Sequence, residues 1–369
     1  MNILILEPYF TGSHKTWAEG YKHHSSFEIN ILSMPGQFWK WRMHGGAITL
    51  AGDFLNSNLK PDLLLATDML DLTTFLALSG KSKMPKIPAA VYFHENQLSY
   101  PWSPADRDVI EKRDHHYGFI NIVSALASDH NFFNSNYHLE SFLTSAGRLL
   151  KQFPDLKELE SVEKIRNKSS ILPLGLDLIK FDRFKDIHIK TEPPLILWNH
   201  RWEFDKNPEE FFKALIILHE KGINFRLAIV GENFKKVPEI FNRAKEILGG
   251  KIIQFGYCDS FEDYARWLWK ADILPVTSIQ DFFGISILEA IYCSTLPLLP
   301  KRLSYFELWG GNTHNNFFYN NFDELVSRLE KALKSPSGSS PDLRAEAKKY
   351  DWSYMAPVYD RRFSAIVKE

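Results

Sequence analysis

The sequence predicts an α/β protein made of two Rossmann-like domains, each built on a parallel sheet. A chain of 369 residues is long for one hydrophobic core, because single cores stop growing near ~250–300 residues. Short apolar runs alternate with segments of helical spacing along most of the chain, which is typical of parallel sheets covered by helices. The polar stretch 185–194 interrupts this alternation. We therefore expect domains over 1–185 and 186–350, then a helix over 351–369 that could cross back to the first domain.

The first half contains six apolar runs of strand length. The predicted strands are 2–6, 27–32, 63–66, 89–93, 130–133 and 170–173. The first strand leads into a loop over 7–15 and a helix over 14–24, which is how a Rossmann-like half begins. Further helices are predicted over 118–128, from its apolar spacing, and over 155–168, from its dense charge.

The second half repeats the pattern. The predicted strands are 195–198, 225–230, 252–255, 273–276 and 296–299. A turn-rich loop over 336–341 precedes the terminal helices. Neither half has a G-x-G-x-x-G motif after its first strand, which argues against a dinucleotide-dependent oxidoreductase.

Composition excludes several classes of protein. The net charge of −1 excludes a globally basic module, so a nucleic-acid partner would have to meet a local patch. Cys258 and Cys293 form no C-x-x-C pattern, so neither a disulfide framework nor a cysteine zinc site is expected. The first residues lack a basic leader, and a membrane span needs ~20 apolar residues. We expect a cytoplasmic protein without a membrane span.

Polar residues collect after the predicted strands, where open α/β sheets bind ligands. In the first half these residues are Gly12, His14, Lys15, His94, Glu95 and Asn96. In the second half they are Arg201, Lys206, Gly231, Glu232, Tyr257 and the segment 281–289. Because they occupy the same ends of their strands, we expect them to line one ligand site.

The segment Asp281-Phe-Phe-Gly-Ile-Ser-Ile-Leu-Glu289 places two carboxylates around a glycine turn that opens a helix. Asp281 can accept hydrogen bonds from hexose hydroxyls, and Glu289 can hold ribose hydroxyls. The amides of Phe283, Gly284 and Ile285 can face an anion at the helix N-terminus. The pattern favours a nucleotide sugar, although an ordinary strand, turn and helix with a capping Asp has the same pattern.

Arg201 and Lys206 follow the first strand of the second half. A guanidinium and an ammonium at this place can hold a departing nucleoside diphosphate without a metal ion. No D-x-D motif for a metal-nucleotide complex lies in the second half, so no metal is predicted.

The segment Trp39-Lys-Trp-Arg42 has two interpretations. Tryptophan faces can stack on unpaired bases while basic groups meet phosphates, as in proteins that bind single-stranded nucleic acid. The same residues could form a buried aromatic pair with exposed cations.

These motifs resemble a known family. The segment 281–289 resembles the E-x7-E motif of retaining glycosyltransferases of the GT-B fold, particularly glycosyltransferase family 4, although Asp281 replaces the first Glu and is one methylene shorter. Further motifs over 12–15, 39–42, 92–98, 133–143, 200–206 and 282–285 resemble the group that includes tRNA-queuosine α-mannosyltransferase. The resemblance covers nearly the whole chain.

The resemblance implies a GT-B fold with two domains facing across a cleft, the first for the acceptor and the second for the nucleotide sugar. It implies retaining, metal-independent transfer of mannose from GDP-mannose to queuosine in the anticodon loop of the tRNA for aspartate, with no cofactor. The catalytic residues would be His94, Arg201, Lys206 and Asp281. The donor would contact Gly12, Arg201, Lys206, Gly231, Glu232, Tyr257, Asp281, Phe283, Gly284, Ile285 and Glu289. The acceptor would contact His14, Lys15, Trp39, Trp41, Arg42, Glu95 and Asn96.

Two alternatives remain open from the sequence. One is a GT-B transferase whose acceptor is a lipid or a small glycoside. The other is a non-catalytic protein that binds nucleotide or tRNA on the same scaffold, for which turnover of the donor is the discriminating test. The sequence does not set the oligomeric state.

Overall fold

The computed structural model describes residues 1–80, 87–102, 106–111, 116–185, 193–231, 238–309, 315–334 and 343–368. The chain divides into two compact units. Unit 1 comprises Met1–Leu176 together with Trp352–Glu369, and unit 2 comprises Asp177–Asp351. The boundaries therefore lie at 176/177 and 351/352, where the sequence had placed them at 185/186 and 350/351.

Unit 1 contains a parallel sheet of six strands with the order β2-β1-β3-β4-β5-β6. Its strands are β1 (Asn2–Phe10), β2 (Glu28–Pro35), β3 (Leu63–Thr67), β4 (Ala89–Phe93), β5 (His130–Phe133) and β6 (Ser169–Ile171). Its helices up to this point are α1 (Gly12–His24), α2 (Trp39–Asn56), α3 (Leu72–Ser79), α4 (Arg107–Ile110), α5 (His116–Ala127), α6 (Asn136–Leu150) and α7 (Glu160–Asn167). Every residue of β3 and β4 is buried. This explains their continuous apolar sequence, because helices cover both faces of such a sheet.

Unit 2 contains a second parallel six-stranded sheet, with the order β12-β11-β10-β7-β8-β9. Its strands are β7 (Leu195–Trp198), β8 (Arg226–Ile229), β9 (Ile252–Phe255), β10 (Ile273–Pro275), β11 (Leu296–Pro300) and β12 (Phe318–Tyr319). Its helices are α8 (Pro208–Glu220), α9 (Glu239–Leu248), α10 (Phe261–Lys270), α11 (Ile285–Tyr292), α12 (Tyr305–Trp309), α13 (Phe322–Lys334) and α14 (Leu343–Ala347). Short 3₁₀ turns lie at Ile179–Phe184, Phe204–Lys206, Gly249–Lys251, Asn315–Phe317 and Lys348–Tyr350. Both units have the α/β architecture predicted.

The last helix, α15 (Trp352–Lys368), packs within unit 1 against α1. The Trp17 indole N–H donates to the Tyr359 hydroxyl at 3.1 Å, and the Tyr21 hydroxyl donates to Asp360 at 2.9 Å. Asp360 also accepts the backbone N–H of Ser26 at 2.9 Å. The end of the chain thus completes the core of the first unit.

The strand predictions for β4, β5, β7 and β9 match the observed bounds. The loop predicted over 7–15 was wrong in its first residues, which belong to β1. This strand continues to Phe10 and, after a register shift, pairs with β2 as far as Pro35. Helices α2 and α6 were not predicted, and the helix expected over 155–168 spans only Glu160–Asn167. The predicted loop over 336–341 lies outside the described residues. No helix in the described part of the chain is both long and apolar enough to cross a membrane.

Candidate active site

Four charged or polar side chains meet at the carboxyl edge of the unit 1 sheet. Glu7 lies on the last part of β1, His14 lies in the first turn of α1, Asp68 follows β3 and His94 follows β4. Because β1, β3 and β4 are adjacent in the sheet, their carboxyl ends bring these residues together. All four are buried, and Glu7 has no exposed surface.

Glu7 and His14 form a buried ion pair. One carboxylate oxygen of Glu7 lies 2.9 Å from His14 Nδ1, and the other accepts the Tyr9 backbone N–H at 2.8 Å. Burial alone would lower the pKa of His14, but the charge and hydrogen bond of Glu7 outweigh burial and raise it to about 9. His14 is therefore an imidazolium at neutral pH, with Glu7 as its counter-ion.

His94 is packed between aromatic rings, and its Nδ1 lies 3.5 Å from an Asp68 oxygen. Its ring centroid lies 4.3 Å from that of His14 and 4.6 Å from that of Trp17. Neither ring nitrogen has a hydrogen-bond partner, and the backbone N–H donates to Asp68 at 2.8 Å. Burial, reinforced by the charge of His14, holds the pKa of His94 well below its usual range. A neutral His94 can offer one nitrogen as donor and the other as acceptor to a ligand.

Asp68 is buried as completely as its neighbours, and its Oδ2 atom has no hydrogen-bond partner. Burial raises the pKa of its carboxyl group, and the charge of His14 partly opposes the rise. Ligand atoms of His14, Asp68 and His94 lie within 4.8 Å of one another. The Asp68 Oδ2 atom and the ring nitrogens of His94 have no hydrogen-bond partner, so they can bind hydroxyls of a ligand.

The other residues predicted for the first-half site differ in their accessibility. Asn96 is fully buried, and its carbonyl oxygen accepts the backbone N–H groups of Leu98 and Ser99 at 3.1 and 2.9 Å. It therefore shapes the loop after β4. Glu95 is partly exposed, and its carboxylate accepts the Gln97 amide at 2.9 Å. Gly12 opens α1 at a φ of +50°, and Lys15 is half exposed.

The tryptophans of α2 have opposite surroundings. Trp39 is half-buried, with its ring 5.2 Å from Tyr117 and 6.4 Å from Trp102. Lys40 sits over the Trp102 ring at 5.0 Å and is paired with Asp106 at 2.6 Å. Of the two interpretations of this segment, Trp39 therefore fits the one in which the aromatic ring packs inside the protein.

Trp41 is 61% exposed, and it lies one turn after Phe38, which is 75% exposed. Phe38 adopts a left-handed backbone at a φ of 54° and provides the carbonyl that accepts the Trp41 N–H at 2.8 Å. Arg42 donates from Nε to the Pro35 carbonyl at 3.1 Å. Two aromatic faces and a guanidinium are thus presented at the start of α2. Phe38 was not predicted from the sequence, because its place before a helix gives no signal of exposure.

In unit 2, Arg201 and Lys206 follow β7 but are not equivalent. The Arg201 side chain is 47% exposed and lies 3.2 Å from a Glu203 oxygen. Lys206 is only 9% exposed, with Nζ 3.2 Å from Asp205 and 3.5 Å from Asp281. Arg201 is therefore accessible to solvent, whereas Lys206 is buried. Burial lowers the pKa of its ammonium, but Asp281 and Asp205 outweigh burial and raise it.

The predicted glycine turn is present before α11. Gly284 has a φ of +88°, which L-residues rarely adopt, and it turns the chain from Asp281 into the helix. Asp281 accepts the Tyr305 hydroxyl at 3.0 Å while remaining near the Lys206 ammonium. The first amides of α11 have no intrahelical acceptor by their position, so Ile285 and its neighbours can face an anion. Phe283 itself is buried.

Glu289 lies in the middle of α11 and is partly exposed. Its carboxylate accepts the Tyr264 hydroxyl at 2.7 Å, and Tyr264 lies 3.3 Å from the Asn199 amide nitrogen. Burial raises the pKa of Glu289, and the Tyr264 hydroxyl partly opposes this. Because the carboxylate has further acceptor positions, it can still receive hydroxyls from a ligand.

His200 joins the β7 loop to the first turn of α11 and was not singled out from the sequence. Its Nδ1 lies 3.0 Å from the Ser286 hydroxyl, and burial lowers its pKa to about 3. Gly231 packs directly on this loop, since a Cβ there would lie 1.6 Å from the His200 carbonyl oxygen. Position 231 thus requires glycine, because its backbone approaches that of His200 closely. Tyr257 is 61% exposed after β9, and Glu232 lies outside the described residues.

Solved structures of low sequence identity share this fold over the whole chain. HepE of Anabaena in complex with UDP has a TM-score of 0.68 at 13% identity, covering 99% of this chain and 100% of HepE. Sucrose-phosphate synthase of Thermosynechococcus elongatus has a TM-score of 0.70 at 14% identity, covering 99% of each chain. These likenesses show the GT-B fold.

Sequence comparison identifies the family. A family model described as tRNA-queuosine alpha-mannosyltransferase N-terminal matches residues 2–176, and one described as Glycosyl transferases group 1 matches residues 180–351. A tRNA-queuosine alpha-mannosyltransferase of Drosophila melanogaster is 32% identical over 348 residues, which cover 91% of this chain and 88% of the relative. The protein is a glycosyltransferase, and it belongs to the tRNA-queuosine alpha-mannosyltransferase family.

Proposed function

We propose that this enzyme transfers mannose from GDP-mannose, with retention of the anomeric configuration, to queuosine in the anticodon loop of the tRNA for aspartate. The observation that carries the donor half of the proposal is the cluster of Lys206, Asp281 and the glycine turn that opens α11. The name of the 32% identical relative supports the acceptor half. A cytoplasmic location, where tRNA is available, belongs to the same proposal.

The donor site follows from charge and position in unit 2. The Lys206 ammonium is held by two carboxylates and the Gln280 carbonyl at 3.0 Å, so its place is fixed before substrate binds. A fixed cation stabilises charge that grows on the diphosphate as the glycosidic bond breaks. Arg201 is exposed enough to swing onto the same phosphates. Glu289 would accept the ribose hydroxyls, and Asp281 a hydroxyl of the hexose.

The proposed reaction needs no cofactor or metal. The bond between the anomeric carbon and the diphosphate oxygen breaks, and a bond to a hydroxyl oxygen of the queuosine cyclopentenediol forms on the same face. The acceptor proton passes to the departing diphosphate, which Lys206 and Arg201 hold. Neutral His94 would donate a hydrogen bond to the sugar or its phosphate, because its ring nitrogens make no hydrogen bond within unit 1.

The acceptor surface is proposed at the start of α2 and at the carboxyl edge of the unit 1 sheet. Phe38 and Trp41 present exposed aromatic faces, on which unpaired bases can stack. Arg42 can meet a phosphate, and Lys15 is exposed on α1. Trp39 would support this surface from within its packed cluster. His14, Glu95 and Asn96 would shape the pocket that receives the cyclopentenediol.

One assay tests the whole proposal. Purified protein is incubated with queuosine-containing tRNA and, separately, with GDP-mannose, GDP-glucose, UDP-glucose and UDP-galactose, and the digested nucleosides are weighed by mass spectrometry. We expect one hexose added to queuosine from GDP-mannose alone. Transfer from a uridine donor would overturn the donor assignment. Donor hydrolysis without transfer to tRNA would favour a lipid or small-glycoside acceptor, and no donor turnover would favour a non-catalytic binding protein.

A further inference from the structure

We propose that Glu7 is a positioning residue for the transfer reaction, which it supports by holding His14 as an imidazolium against Asp68 and His94. The inference deepens the proposed function and rests on it. Glu7 makes no hydrogen bond to His94, and its own charge raises the pKa of both His94 and Asp68, so the support that it gives must pass through the cation that it holds on His14.

The role that the geometry assigns to Glu7 at this edge of the sheet is to pair with His14. It is fully buried on β1, and its two oxygens are used by His14 and by the Tyr9 backbone. A buried carboxylate costs free energy unless it is paired, so this carboxylate and the His14 cation require each other. The Tyr9 hydrogen bond fixes the carboxylate, and the carboxylate in turn fixes the tautomer and tilt of the His14 ring.

The imidazolium of His14 then sets the charges of its neighbours. Its ring lies 4.3 Å from the ring of His94, so a positive charge there opposes a second positive charge on His94. The same charge favours the ionised form of Asp68. Together, an ionised Asp68 and a neutral His94 can both accept hydrogen bonds from substrate hydroxyls and donate one to them. If both groups were protonated, they would have fewer acceptor atoms for those hydroxyls.

The groups that face His14 come from each element around it. Glu7 and Tyr9 belong to β1, Asp68 follows β3, and His94 and Glu95 follow β4. The charges of Glu7, Asp68 and Glu95 all raise the pKa of His14 to about 9, against the effect of burial. Among these, Glu7 is the hydrogen-bonded partner, so its removal should let burial act and bring the His14 pKa to its ordinary value or lower.

A pH profile of Glu7→Gln tests the inference, because glutamine keeps the size and an acceptor oxygen but removes the charge. With a His14 pKa no higher than ~6.5, only about 3% of the protein would carry the imidazolium at pH 8. Activity of Glu7→Gln relative to the wild type should fall from about half at pH 6.5 to roughly one-thirtieth at pH 8. Glu7→Asp keeps the charge and should show a ratio that does not change over this range. A constant deficit of Glu7→Gln across pH would mean a structural role and overturn the proposal.

A direct titration separates this inference from the proposed function. Protein labelled with ¹⁵N-histidine, with the His14 signals assigned by His14→Gln, should show His14 protonated at pH 7.5 and losing its proton near pH 9 in the wild type. Since the folded pKa of His14 is raised, the stability that its protonation contributes is full below about pH 6.5 and lost as pH rises towards 9. A neutral His14 at pH 7.5 in the wild type would refute the inference even if Glu7→Gln cannot fold. Failure of mannose transfer with a protonated His14 would refute the proposed function alone.

Discussion

Replacing Lys206 with methionine should destabilise unit 2 strongly, in contrast to the behaviour of an exposed lysine. Lys206 is 9% exposed, and Asp205, one of its two carboxylate partners, is 1% exposed. Removing one partner of a buried ion pair leaves charge buried without compensation, which costs roughly 3–5 kcal/mol. Each kcal/mol lowers the melting temperature by about 2–4 °C in a unit of this size. The expected loss is therefore roughly 6–20 °C.

The assay is unfolding by heat and by urea, followed through tryptophan fluorescence, with Lys221→Met as the matched control. Lys221 is 49% exposed and pairs with Glu330 at 2.8 Å. Exposed pairs contribute about 0–1 kcal/mol, so the control should unfold close to the wild type. Adding Asp281→Asn to Lys206→Met removes one of the two uncompensated charges and should restore part of the lost stability.

The result that refutes this reasoning is a Lys206→Met protein that unfolds at the same urea midpoint as the wild type. Such an outcome would mean that Lys206 makes no net contribution to the fold and that its burial is not maintained in solution. Activity alone cannot show whether Lys206→Met is unstable. Loss of the cation that stabilises the departing diphosphate should also lower turnover by at least ~10²-fold. Arg201→Ala separates the two effects, since the exposed Arg201 should lose turnover without losing stability.

Three further predictions concern the donor turn, the ribose site and the acceptor surface. Glu289→Gln should weaken GDP-mannose binding by ~10-fold or more in calorimetry, because hydrogen bonds to a charged group contribute ~1.5–3 kcal/mol, and Tyr264→Phe should weaken it less; equal affinity for the wild type and Glu289→Gln would make the carboxylate structural. Gly284→Ala should cost about 1–2 kcal/mol of stability and raise the KM for the donor, since the backbone at Gly284 has a φ of +88°. An unchanged melting temperature would contradict this prediction. Trp41→Ala should weaken binding of queuosine-tRNA by ~1–3 kcal/mol with an unchanged melting temperature, whereas Trp39→Ala should lower the melting temperature first; if Trp41→Ala binds tRNA as the wild type does, α2 is not part of the acceptor site.

The parts of the fold that the sequence predicts are those with a local cause. Strands β4 and β7 are unbroken apolar runs, and a parallel strand buried on both faces needs nothing else. Helix α2 was missed because its exposed face carries Trp41, Ile48 and Leu55, so the usual contrast between apolar and polar faces is weak.

The candidate site could be predicted by residue type but not by environment. The sequence predicts that Lys206 and the segment with Asp281 and Glu289 lie at the same ends of their strands, because motifs and apolar runs can be identified locally along the chain. It does not indicate that Lys206 is buried between Asp205 and Asp281, since that burial depends on how two loops pack. The partnership of Glu7 with His14 was missed for the same reason. Only the extension of β1 brings that carboxylate to the first turn of α1.

The return of α15 to unit 1 has a consequence for the order in which the protein folds during synthesis. A ribosome completes residues 177–351 before it reaches Trp352, whose backbone N–H donates to the Leu176 carbonyl at 2.8 Å. Unit 2 is a continuous segment and can fold as soon as it emerges, whereas the hydrogen-bond partners of the Trp17 indole and the Tyr21 hydroxyl lie more than 330 positions later in the chain. The first unit to be translated is therefore the last to be finished. Its aromatic α1 surface stays uncovered meanwhile, and it is the part of the nascent chain where we expect a chaperone to bind.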